Sequence, residues 1–176
     1  MRADLPGGYE VADVAGKTTP VALGGFGPDW TADPPACGVL ADPVVEVETT
    51  RGWSGSGPGG IVYAVVARSP QSVPMDPAVL AECGQWTVSG GRTSGSVTLT
   101  AGPAIDAATT IALSTASTTV VEGGTETHSH AETVTADLDG YVAFVSVVTD
   151  PGSSNPQLGQ DFAATLLVKT VAQLRG

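Results

Sequence analysis

Glu126, His128, His130 and Glu132 are the residues of this chain whose types and spacing come nearest to chemistry. On a strand, alternate residues share a face, so all four side chains point the same way. A His-x-His pair on a strand can set two imidazoles on one metal ion, with a carboxylate as third ligand. The same group can act as a proton sensor, because histidine titrates near neutrality. The other face of this stretch, Thr125, Thr127, Ser129, Ala131 and Thr133, is also hydrophilic or small. That composition equally suits a strand end projecting into water.

The second candidate is Gly55-Ser56-Gly57-Pro58-Gly59-Gly60, a literal G-x-G-x-x-G. That motif holds a phosphate only where it follows a strand and opens a helix. Here it precedes an apolar strand and no helix follows, so a dinucleotide site is excluded. A mobile loop over 51–60 is expected instead, with Arg51, Trp53 and Ser56 able to touch a ligand. Nucleophilic catalysis has little to draw on. Neither G-x-S-x-G nor S-x-x-K occurs, and neither cysteine neighbours a histidine in sequence. No enzyme and no cofactor are expected.

The elements that must position these residues are easier to read. Segment 131–152 reads as two strands joined by Asp139-Gly140, a dipeptide suited to the tight hairpin turn. Its second strand, 141–149, is apolar on both alternating sets, as a strand covered above and below must be. Further strands are expected at 8–14, 44–50, 61–68, 85–89, 94–101, 109–121 and 125–138. A final helix is expected from Asn155-Pro156 to about Leu174. Its buried stripe is Phe162, Ala163, Leu166, Leu167, Thr170, Val171 and Leu174. Residues 16–33 form a long connection anchored by Phe26 and Trp30. Strand after strand with turn-like links predicts a single antiparallel α+β domain over 1–176.

Cys37 and Cys83 are the two cysteines, and each closes a similar phrase, Asp33-Pro34-Pro35-Ala36-Cys37-Gly38 and Asp76-Pro77 to Cys83-Gly84. Each phrase reads as a short helix with an Asp cap, Pro at its first position and Gly at its end. Two such helices can be joined by a disulfide, worth roughly 4 kcal/mol by loop entropy, and the alternative is two buried free thiols. A disulfide implies an oxidising compartment. No apolar leader precedes Leu5-Pro6, so an exported protein requires a signal or lipid-anchor segment outside this sequence. The net charge of −11 repels nucleic acid and acidic membranes. No apolar run approaches the roughly 18 residues of a membrane span.

Gly59-Gly60-Ile61-Val62-Tyr63-Ala64-Val65-Val66, Glu82-Cys83-Gly84-Gln85-Trp86, Val121 to Thr127 and Asp150-Pro151-Gly152 with the closing helix carry a resemblance. Across nearly the whole chain the sequence resembles a mycobacterial cell-envelope family of unknown function, whose members are often lipoproteins. More distantly it resembles the extracellular sensor domain of PknH-type Ser/Thr kinases. The resemblance implies an exported domain with a twisted antiparallel sheet, packed helices, a disulfide and a ligand-binding cleft. The chain carries no kinase catalytic part and can form one disulfide, where sensors of the kinase type have two. The expected function is therefore a non-catalytic, extracytoplasmic binding or sensor-like domain for a small molecule, lipid, glycan or protein of the envelope. The first rival is a metal-binding protein or metal-dependent enzyme using His128 and His130. The second is a structural envelope module that meets another protein through exposed Phe26 and Trp30.

Overall fold

The structure is a computed structural model, and it describes residues 2–71 and 77–176. These residues form nine strands: β1 (Glu10–Val14), β2 (Thr31–Asp33), β3 (Arg51–Gly57), β4 (Gly60–Arg68), β5 (Gln85–Gly90), β6 (Thr93–Ala101), β7 (Thr109–Val120), β8 (Glu126–Leu138) and β9 (Tyr141–Thr149). They also form the helices α1 (Pro20–Leu23), α2 (Pro77–Glu82) and α3 (Gln160–Arg175). One antiparallel sheet runs in the order β1-β3-β4-β9-β8-β7-β6-β5-β2. Strands β5 to β9 meander, and β9 then pairs with β4 across a long separation in sequence.

β9 lies inside the sheet and is buried from Val142 through Val147, because both of its faces are apolar. Its two faces look onto two cores. On one, Val142 joins Ile111, Leu113, Val97 and Trp86 beneath Phe26, Leu40 and the Cys37–Cys83 disulfide. On the other, Ala143, Val145 and Val147 join Val62, Ala64, Val134 and Ala136 beneath α3. Helix α3 presents Ala163, Leu166, Leu167 and Val171 to that core, all at three-to-four spacing and all buried. At 16 residues it spans about 24 Å, enough to cover several strands. The covers are offset. α3 shields β4, β9 and the end of β8, whereas the disulfide-bearing segments shield the opposite face towards β5.

Four local expectations need correction. Residues 44–50 are not a strand: they run irregularly into a 3-10 turn, Val47–Thr49. They lie beside β4, both of whose edges are already paired with β3 and β9. The Thr49 hydroxyl instead donates to the Glu46 carbonyl at 2.6 Å and accepts from the Arg68 amide at 2.9 Å.

Residues 51–60 are not a mobile loop but strand β3 and its turn into β4. The glycines there answer to close packing. A β-carbon on Gly55 would lie 2.6 Å from a Leu5 methyl, and one on Gly57 only 2.5 Å from the Tyr9 ring. The N-terminal segment lies across their bare backbone.

The Cys37 helix is a 3-10 segment, Pro35–Leu40, capped by Pro34, while Asp33 ends β2. Gly38 does not terminate it; the Trp30 ring packs where its β-carbon would be, at 2.9 Å. Helix α2 begins at Pro77, and the Asp76 cap lies outside the described residues. Helix α3 starts at Gln160 rather than at Asn155-Pro156, because the preceding turn is tied elsewhere: the Leu158 backbone amide donates to the Gly59 carbonyl, 3.1 Å, and the Gln157 side-chain Nε2 to Asp150 O, 2.6 Å. The expected connection over 16–33 contains α1 and β2, with Phe26 buried as its anchor.

Candidate functional site

Cross-strand register decides which of the sequence candidates meet. Arg51 pairs with Val66 and Trp53 with Ala64, so both side chains rise on the α3 side of the sheet. Ser56 lies an odd number of residues from both and faces the other way, so it does not join them. On the α3 side, β3, β4 and β9 and the last turn of α3 line an open groove of about 540 Å³, within the usual volume range for small-molecule sites. Its walls are apolar: Trp53, Val66, Tyr141 and Leu174, with Thr170 on the helix. Leu174, expected in the buried stripe, is 39% exposed and forms the outer wall.

The cationic rim has a specific geometry. One Arg51 terminal nitrogen, Nη1, donates to Thr50 O at 2.7 Å and Glu48 O at 2.9 Å. The guanidinium is thereby fixed, while its Nε–Nη2 edge has no hydrogen-bond partner among the described residues. Arg68 sits directly across from Tyr141, its guanidinium carbon 5.8 Å from the ring centroid, a cation–π contact. A hydrogen bond to Tyr141 holds the Arg68 guanidinium above its ordinary pKa. Arg51 thus lines the groove and Arg68 lies on the same sheet face over Tyr141, in a protein of net charge −11.

The histidine candidates lie on the same face of the sheet, beyond the reach of α3. The structure aligns Glu126, His128, His130 and Glu132 on one side of β8, as their spacing requires. Yet they do not converge. His130 Nε2 lies 2.7 Å from Glu132 Oε1, which also accepts from the Ser114 hydroxyl at 3.0 Å. His128 Nδ1 lies 3.1 Å from the Thr118 hydroxyl. Among the described residues, no group of three or more His, Cys, Asp or Glu is placed to hold a metal ion. The pair instead borders a shallow hydroxyl-lined depression of about 580 Å³ with Thr87, Ser89, Ser94, Ser96 and Thr118. His128 also borders a smaller hollow, about 360 Å³, formed with the turn Gly57-Pro58-Gly59-Gly60 and Thr149. The glycine-rich turn and His128 thus border one hollow, although nothing in their separate patterns announced it.

The aromatic pair proposed as an exposed contact does not stand out from the surface. Phe26 is 5% exposed, and Trp30 is half-buried against Gly38 and Gly90.

A family model described as a domain of unknown function, DUF5642, matches residues 1–175. The chain belongs to the DUF5642 family. An X-ray structure of an uncharacterized Mycobacterium smegmatis protein, an Rv0999 ortholog, is similar to this DUF5642 chain with a TM-score of 0.68 and 20% identity. The match covers 99% of this chain and 93% of that one, and at such identity it speaks for the fold. Comparison with curated proteins finds no significant match. Among the described residues of this DUF5642 domain, no helix is long and apolar enough to cross a membrane.

Sequence reasoning missed Tyr141, Val66 and the exposed position of Leu174 as parts of the groove, and Arg68 beside Tyr141. Tyr141 and Val66 sit in strands that read as continuous core, and only the β4–β9 register brings Arg68 over Tyr141. The available signal was Tyr141 itself, an amphipathic aromatic at the first position after a turn, where one edge of the ring stays wet.

Proposed function

We propose that this DUF5642 domain is a non-catalytic binding domain of the cell envelope, and that the groove beneath the end of α3 is its ligand site. The observation that carries this reading is the groove itself, which brings Arg51 and Trp53 together against Tyr141 and Leu174. A concave, mostly apolar surface with a few fixed polar groups is the usual form of a binding site. The disulfide supports an extracytoplasmic location, since such bonds persist in oxidising compartments. The resemblance to envelope lipoproteins and to kinase sensor domains supports the same placement. A non-catalytic role is supported by the Ser114–His130–Glu132 group: Ser114 Oγ, at 3.4 Å, and Glu132 Oε1 approach the same imidazole nitrogen, Nε2. A proton relay needs a separate nitrogen for each partner.

The test is tryptophan emission during titration with dodecyl amphiphiles, oligosaccharides and unstructured peptides, in the wild type and in Trp53→Phe. At least one class is expected to give a saturable change that Trp53→Phe abolishes. Silence from all three classes in folded protein would overturn the reading.

A further inference from the structure

We infer that the groove takes an amphipathic monoanion, a single apolar chain headed by a carboxylate, with the chain against Trp53, Val66 and Leu174 and the head on Arg51. This rests on the reading of the groove as a ligand site and adds the chemistry of its occupant. The first argument is the fixed guanidinium. Two backbone carbonyls hold Nη1 of Arg51 at 2.7 and 2.9 Å, so the side chain gives up little further freedom on binding. The remaining Nε–Nη2 edge presents two parallel N–H donors, the fork that matches a carboxylate bidentately. The second argument is charge. Attraction for an anion is unusual on a chain of net charge −11, and here Arg51 lines the apolar groove while Arg68 lies on the same sheet face over Tyr141, one of its walls. The third argument limits that charge. Glu46 lies close enough to act on the Arg68 charge, and Glu48 follows it in the turn that Arg51 grips. A dianionic head would meet these carboxylates, whereas a monoanion meets them at half the repulsion.

The experiment compares three probes sharing a twelve-carbon chain: laurate, dodecyl phosphate and dodecyl maltoside, each below its micellar concentration, read by Trp53-dependent emission. Laurate is expected to bind at least tenfold more tightly than the maltoside, a difference of about 1.4 kcal/mol, and more tightly than the phosphate. Arg51→Gln is expected to erase the laurate advantage, read as the ratio of laurate to maltoside affinity within each protein. Arg51→Lys, which keeps the charge but loses the fork, is expected to fall between. Because Arg51 also braces the 46–50 turn, a measurement on the wild type runs in parallel: raising salt to about 0.5 M is expected to shrink the laurate-to-maltoside ratio severalfold by screening. Equal binding of laurate and maltoside, or tighter binding of the phosphate, overturns the inference and leaves the groove as a ligand site. Binding of oligosaccharide or peptide with no response to any dodecyl probe does the same. No response to any class removes both.

Discussion

Gly57→Ala offers the sharpest test of why β3 is rich in glycine. The Gly57 backbone is outside the left-handed region, so alanine meets no conformational obstacle there. In a strand free of neighbours the substitution stabilises by roughly 0.5–1 kcal/mol, because glycine loses more freedom on folding. In this protein the new methyl would lie 2.5, 2.7 and 2.7 Å from three atoms of the Tyr9 ring, including the ring carbon nearest the backbone. The ring cannot clear that contact by moving its tip, so Tyr9 and the segment that carries it must shift. Overpacking of this kind costs about 1–3 kcal/mol. Gly57→Ala is therefore expected to destabilise in the wild-type background and to stabilise once Tyr9 is also alanine. Urea unfolding of the four proteins of the double-mutant cycle measures this, with an expected coupling of roughly 1.5–4 kcal/mol between the two sites. A neutral or stabilising Gly57→Ala in the presence of Tyr9 would refute the packing argument and return β3 to the status of a glycine-rich flexible segment.

Leu167→Ala removes a fully buried side chain from the α3 core and is expected to cost about 2–5 kcal/mol in chemical denaturation. Cys37→Ala with Cys83→Ala opens a closure of 46 residues and is expected to lower stability by about 4 kcal/mol, a loss that reductant reproduces in the wild type. Asp4 has its carboxyl held below the ordinary range, chiefly by its hydrogen bond to the Lys169 ammonium. That contribution is complete above the normal carboxylate range and disappears as pH falls through the lowered value. Lys169→Met is expected to move the Asp4 titration upward in NMR and to flatten the acid limb of the stability profile.

How far the fold could be read from residues depended on whether the deciding contact was local. The two-faced apolarity of Tyr141–Thr149 named the inner strand because between Val142 and Val148 only Ser146 is polar, and its buried hydroxyl is paired with that of Thr133 at 2.6 Å. The stripe Ala163, Leu166, Leu167 and Val171 named the face of α3 for the same reason. Segment 44–50 misled because alternation states what a strand would look like without saying that a free edge exists to receive it. Residues 51–60 misled more deeply. Glycine signals freedom when nothing is near it, and here Leu5 and Tyr9 are near it. The same limit governs the site. Arg51, Trp53 and Ser56 were grouped as residues of one loop, and parity on β3 keeps the first two together while turning Ser56 away. Tyr141 and Leu174 reach the groove through the β4–β9 register and the seating of α3, neither of which is a local property of the sequence.

The Cys37–Cys83 bond has a topological consequence. Between these two residues the chain leaves the β5 side of the sheet, crosses to lay down β3 and β4 beside β9, and comes back. The covalent ring therefore encircles both halves of the molecule instead of pinning one corner. A protease that severs any peptide within the ring leaves two fragments still joined through sulfur, each holding strands that pair with the other. Cleavage there is survivable until a reductant arrives, and a nicked, fully assembled protein that falls apart only on reduction is the signature such an architecture leaves on a gel.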